Sequence, residues 1–204
     1  MTETNKTKSR LKENLLIYFT YGLFALGVVC VSYVLISFIT KKHELSTIGN
    51  MDCVKESITQ SITDGNMVDL IPKSSTVKIM MDFYNCNEIK RNDLVWYRFS
   101  NQIPPVVRLV RGLPGDKYSL SPDPEDKERW FISVNGSKIK SENENFYIKS
   151  NTVPPLKTYE LSRGGILRDD EYILLSSFPP GLSDSSNLGL ISKKALVGKV
   201  ILTK

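Results

Sequence analysis

The chain has 204 residues, 24% charged and 41% hydrophobic. That length fits one domain of ordinary size with an appendage, and that composition excludes both a disordered chain and a multi-span channel. The net charge of +5 raises nucleic acid as a partner, but the placement of the charge argues against it. Lys6, Lys8, Arg10 and Lys12 outnumber Glu3 and Glu13 in the first fourteen residues, and Lys41 and Lys42 follow. From His43 onward, 21 basic residues face 20 acidic ones.

The excess therefore flanks residues 15–39, which hold no charged side chain. At 1.5 Å per helical residue this run is about 37 Å long, enough to cross a bilayer core of about 30 Å with some tilt. A cleaved signal peptide would have a shorter apolar core and a small-residue cleavage site, and Thr40-Lys41-Lys42-His43-Glu44 is not one. The expectation is an uncleaved, single-pass transmembrane helix in the cell (plasma) membrane. The basic residues 1–14 form a cytoplasmic tail by the positive-inside rule, and the main domain is extracytoplasmic. A cytoplasmic domain tethered by the same helix is the competing arrangement.

Residues 40–63 are polar, with Val54, Ile58 and Ile62 at intervals of four, and read as a stalk or short amphipathic helix. From residue 64 to 204 the pattern is mostly β. Residues 76–81, 93–99, 106–110, 129–134 and 171–175 are rich in β-branched and aromatic side chains. Asn135-Gly136 marks a hairpin, because both residues tolerate positive φ. Pro104-Pro105, Pro154-Pro155 and Pro179-Pro180 punctuate loops. Cys30 lies in the apolar run. Cys53 and Cys86 fall outside, where a disulfide is chemically permitted, but nothing in the sequence sets their separation.

The most specific string is Arg111-Gly112-Leu113-Pro114-Gly115-Asp116, a tight turn after a short apolar strand. With one N-terminal anchor, it resembles the bacterial type I signal peptidases, in which a strand bearing a catalytic lysine runs into GLPGD. Residues 89–95 (IKRNDLV) are similar to that family's "(K/R)-G-D-(I/V)-V" strand. Val134-Asn135-Gly136 with Lys138 is similar to its "VNG(K)" hairpin. Residues 189–191 and 196–200 are similar to its C-terminal strand. The resemblance implies a mostly β, signal-peptidase-like fold.

It also implies a serine nucleophile in a "G-x-S-M-x-P-T" loop and a neutral lysine general base. Counting without gaps puts the nucleophile position at Asn66, with Met67 matching the motif's Met, and the base position at Arg108. The hydroxyl that would stabilise the oxyanion falls on Asp64. A carboxamide is not activated as a hydroxyl is, a guanidinium stays protonated, and a carboxylate repels an oxyanion. The family's "GDNRxxSxDSRxxG" box overlies residues 176–189. Asp184, Ser185 and Gly189 match, but the supporting Asp and two Arg become Ser177, Pro179 and Ser186. Arg108 is expected to pair with Asp64 or Asp69.

Lys55 with Ser57, and Lys73 with Ser74 or Ser75, are available as other dyads, although immediate neighbours on an extended chain face opposite ways. The one histidine, His43, leaves no Ser–His triad and no metal-ligand spacing, so no cofactor or metal is expected. The resemblance points to signal-peptidase-like proteins of pilus loci with replaced catalytic residues. It thus implies a non-hydrolytic assembly factor or chaperone, with Met67, Val106 and Val107 contacting an extended segment of a secreted preprotein or pilus subunit. An active signal peptidase with other catalytic residues is the alternative. A membrane-anchored β-domain without a peptide partner is the third reading. The bilayer is the remaining partner, and nucleic acid is not one.

Overall fold

The computed structural model describes residues 24, 26–36, 49–141 and 144–202. Residues 26–36 are helical (α1) and exposed, part of a unit running from Met1 to Gly49. Among the described residues no helix is long and apolar enough to cross a membrane. The cytoplasmic tail at 1–14, and the parts of the expected span before residue 24 and after residue 36, lie outside the described residues.

The second unit, Asn50–Lys204, is built on antiparallel strands. Seven strands form one sheet in the order β1-β2-β11-β3-β4-β9-β10. Their ranges are β1 Ser57–Ile62, β2 Ser75–Met81, β3 Leu94–Tyr97, β4 Val106–Gly112, β9 Glu171–Leu175, β10 Ile191–Ser192 and β11 Leu196–Leu202. The strand runs expected at 76–81, 93–99, 106–110 and 171–175 therefore all enter one sheet.

The second sheet centres on β6, Arg129–Val134, with β5, Tyr118–Pro122, along one side. Along the other side lie β7, Ser137–Lys138, and β8, Tyr147–Lys149. Asn135 and Gly136 join β6 to β7 with φ of 51° and 79°, the left-handed geometry that Asn-Gly permits.

Among the described residues, two apolar clusters form the core. Ile62, Met67, Ile71, Val77, Ile79, Val107, Leu109 and Val200 pack inside the first sheet. Tyr118, Ile132, Phe146, Ile148, Leu156 and Ile173 belong to the second cluster. Each fully buried aliphatic or aromatic side chain stabilises the fold by about 1.5–3 kcal/mol. The second cluster is closed by helix α2, Pro154–Arg163, through the fully buried Leu156.

Residues 57–62 are a strand paired with β2 from Ser57–Met80 to Ile62–Ser75, not a helix or stalk. The compact unit accordingly starts at Asn50 rather than at residue 64. Pro154 and Pro155, expected to punctuate a loop, instead open α2 at its first positions, where a missing N–H costs nothing. Cys53 and Cys86 form a disulfide with their Cα atoms 5.9 Å apart.

Candidate functional site

Strand β1 is the edge of its sheet, and the chain leaves it through a one-turn 3₁₀ helix, Gly65–Met67. Asp64 caps that turn, its Oδ1 accepting the backbone N–H of Asn66 at 2.9 Å and a second hydrogen bond from the Asn66 carboxamide. The backbone carbonyl of Asn66 accepts from the Ser177 N–H at 3.0 Å and from its hydroxyl at 3.2 Å. The turn is thereby clamped from a residue 111 positions away.

The other wall is β4. Val106 and Val107 pair with Tyr97 and Trp96 of β3, while β4 meets β9 only from Leu109 onward. Between this half-free segment and β1 lies a groove of about 360 Å³, lined by Gln60–Asp64, Trp96 and residues 104–107. Backbone N–H and C=O groups along an edge strand are the usual means of receiving an extended peptide.

Arg108 sits at the end of this groove with its side chain 1% exposed. Its Nη1 lies 2.5 Å from Asp64 Oδ2 and donates to the Val107 carbonyl at 2.6 Å, and Nη2 donates to the Leu182 carbonyl. Nε is buried without a partner. Burial of Asp64 pushes its carboxyl pKa up. The Arg108 hydrogen bond and charge and the Asn66 N–H oppose that and leave it below the ordinary carboxylate value. The expected partner choice for Arg108 is therefore Asp64 and not Asp69.

Behind this centre, Asp184 is fully buried and caps helix α3, Ser185–Leu188, in a capping box with Asn187. It accepts from the Ser176 N–H at 2.9 Å, the Ser176 hydroxyl at 2.8 Å, and the N–H and hydroxyl of Ser186. Neutral donors thus satisfy the carboxylate where the resembled box would supply arginine. Ser185 Oγ accepts from the Leu174 N–H at 2.9 Å, tying α3 to β9. Gly189 ends α3 at φ 79°.

The turn after β4 is knotted by Asp116. Its carboxylate accepts from the Leu113 N–H at 2.6 Å, from Arg91 at 2.8 and 2.9 Å, and from Asn135 at 2.7 Å. Gly115 supplies the required positive φ of 84°, and Gly112 has no room for a Cβ beside Leu167 and Ile173. Pro114 lies between them in this turn. The three strings read around residues 91, 112–116 and 134–136 thus converge on one carboxylate.

The structure brings together Asp64, Asn66, Arg108 and Val107. Val106 lines the same groove. Met67 is placed differently from expectation: it is fully buried in the first core cluster and packs there instead of contacting the groove. Of the other dyads, Lys55 lies 3.3 Å from Asp82, and Lys73 is exposed on the turn before β2; neither borders the groove. Sequence reasoning missed Ser177 as the clamp on Asn66, the Leu182 carbonyl, and Tyr97, whose hydroxyl donates to the Ser183 carbonyl. Among the described residues no group of three or more His, Cys, Asp or Glu could hold a metal ion.

The family described as signal peptidase, peptidase S26, matches residues 19–203. Among solved structures, a signal peptidase I from Enterococcus faecalis V583 is similar at 20% identity and a TM-score of 0.38, covering 57% of this chain and 98% of that one. No curated protein matches the chain.

Proposed function

The chain belongs to the signal peptidase family, peptidase S26, and on that footing we propose that it holds an exported precursor or pilus-subunit segment without cutting it. In this reading it is a membrane-anchored, extracytoplasmic assembly factor or chaperone. The segment lies extended in the groove, adding to the free edge of β1. The single observation that carries the non-hydrolytic half is the buried Arg108–Asp64 pair at the position where the family's base would stand.

The chemistry argues the same way. A general base must take a proton, and a guanidinium held by a carboxylate and two carbonyls has none of the lone pairs this needs. The Asn66 carboxamide is an inert nucleophile whose N–H is spent on Asp64. A carboxylate at position 64, where the family would place a hydroxyl donor, would raise the barrier to an oxyanion formed beside it.

The test incubates the full chain, in detergent, with a radiolabelled preprotein. The precursor is expected to co-elute with the protein and stay intact. A specific cut after an Ala-x-Ala sequence overturns the reading in favour of an active signal peptidase. The same assay has a second arm. Asn66→Ser with Arg108→Lys is expected to remain inert, because Asp64 would hold the new ammonium protonated. Adding Asp64→Ser removes that counter-charge and supplies a hydroxyl donor, so the triple variant is the one expected to gain slow cleavage.

A further inference from the structure

Val107, Leu109 and Arg111 follow one another along β4, whose pairing with β9 shifts register between Val110 and Gly112, and they border three depressions in turn. Val107 borders the groove already described. Leu109 and Arg111 border a second, completed by Asp69, Leu70, Lys140 and Ser177. Arg111 and Lys140 also border a third, a cleft of about 350 Å³ that includes Arg91, Asn92, Asn135 and Lys138. At about 3.3 Å per residue, the cleft lies roughly 13 Å beyond Val107, some four residues of extended chain.

The cleft is basic and largely uncompensated. Arg91 is committed to Asp116. Arg111 meets only neutral acceptors: Nη1 donates to Asn92 Oδ1 at 2.6 Å and Nη2 to the Lys140 carbonyl at 3.3 Å, while its buried Nε has no partner. Lys138 lies over the Phe131 ring at 4.0 Å. Among the described residues no ion pair involves Arg111, Lys138 or Lys140. Among the described residues, the acidic groups lining the three depressions are Asp64, already paired with Arg108, and Asp69, exposed at the second.

We propose that this cleft receives acidic side chains of the segment that follows the groove-bound strand, so that preferred precursors carry Asp or Glu about four residues beyond the part lying beside Val107. The inference rests on the groove reading above. Continuity along β4 and the flanking amides of Asn92 and Asn135 favour a peptide as the occupant. Carboxylates there gain Coulomb energy from Arg111, Lys138 and Lys140, which form no ion pair among the described residues.

The experiment uses the full chain in neutral detergent and two labelled peptides with one uncharged leading half, ending in glutamates or in glutamines. At low salt the glutamate peptide is expected to bind about tenfold more tightly, and the difference should shrink as salt rises. Arg111→Gln with Lys140→Gln should abolish the preference and leave the glutamine peptide's affinity unchanged. Lys138→Gln with Lys140→Gln, two exposed positions, should reduce it even if the first pair disturbs folding. Equal affinities for the two peptides overturn the inference and leave the groove reading standing. Failure of both peptides to bind overturns both. Phosphatidylglycerol vesicles form the last arm: vesicle binding lost in these variants, with the peptide preference intact, assigns the cleft to lipid and overturns the proposal.

Discussion

At the scale of single residues the centre of the molecule turns on a buried guanidinium. Arg108 is fully enclosed, and Asp64, with its side chain 21% exposed, is its one paired carboxylate among the described residues. Asp64→Asn keeps the shape and the cap on Asn66 but leaves the buried charge uncompensated, which costs about 2–4 kcal/mol of stability. Thermal melting of the full chain at neutral pH checks this, and Asp64→Leu with Arg108→Met should recover most of the loss. The pH dependence has a definite sign. The folded state depresses the Asp64 pKa from its ordinary 3.8, so its contribution is present above that value and fades as pH falls through the lower folded value. Wild type and Asp64→Asn should therefore converge in stability on acidification below about pH 4. Residues 64, 66 and 108 could be read from the sequence because each sits at a fixed count from a distinctive string. The Ser177 clamp could not: it closes over 111 residues through a backbone carbonyl, and backbone contacts carry no side-chain signature.

At the scale of elements, legibility followed how unambiguous the period was. β6 was read end to end because β-branched and aromatic residues run up to an Asn-Gly turn. β1 was misread because positions 54, 58 and 62 are an even number apart, so they share one face of a strand as well as of a helix. β5 was missed although Tyr118 and Leu120 are buried and Ser119 and Ser121 exposed, a period of two that five residues beside a turn barely display. The disulfide was not legible because Cα separation is a property of the fold. It joins the chain just before β1 to the turn after β2, and Asn87 clasps Asn50 beside it through hydrogen bonds of 2.6 and 2.7 Å. Closing a loop of 33 residues stabilises by about 3–4 kcal/mol in the chain-entropy picture. Cys53→Ser with Cys86→Ser should lower the melting temperature by about 10 °C. Because β1 is an edge strand held on one side only, its amides should also exchange faster in that variant, with those of β3 and β4 little changed. Uniform acceleration across the sheet would show instead that the bridge supports the whole unit rather than the groove wall.

At the scale of the whole molecule, charge, disulfide and groove bear on one question, the extracytoplasmic placement proposed for the domain. The positive charge is concentrated before and just after the apolar run, while the remainder is nearly neutral. That pattern favours retention of the N-terminal tail in the cytoplasm. The Cys53–Cys86 bridge is an independent argument, since such bonds persist on the oxidising side and not among cytosolic thiols. On the proposed function, a groove that receives exported segments is useful only where those segments emerge. The three arguments share no residue, so one experiment can test them jointly. Intact protoplasts treated with a non-permeant protease should lose the domain while retaining a fragment with the N-terminal tail. Before reduction, a maleimide reagent added to lysed, denatured cells should modify Cys30 alone, and after reduction all three cysteines. Full protection from protease together with free Cys53 and Cys86 would put the domain in the cytoplasm. It would also remove the exported precursor as its partner, because the chain and its substrate would then be on opposite sides of the bilayer.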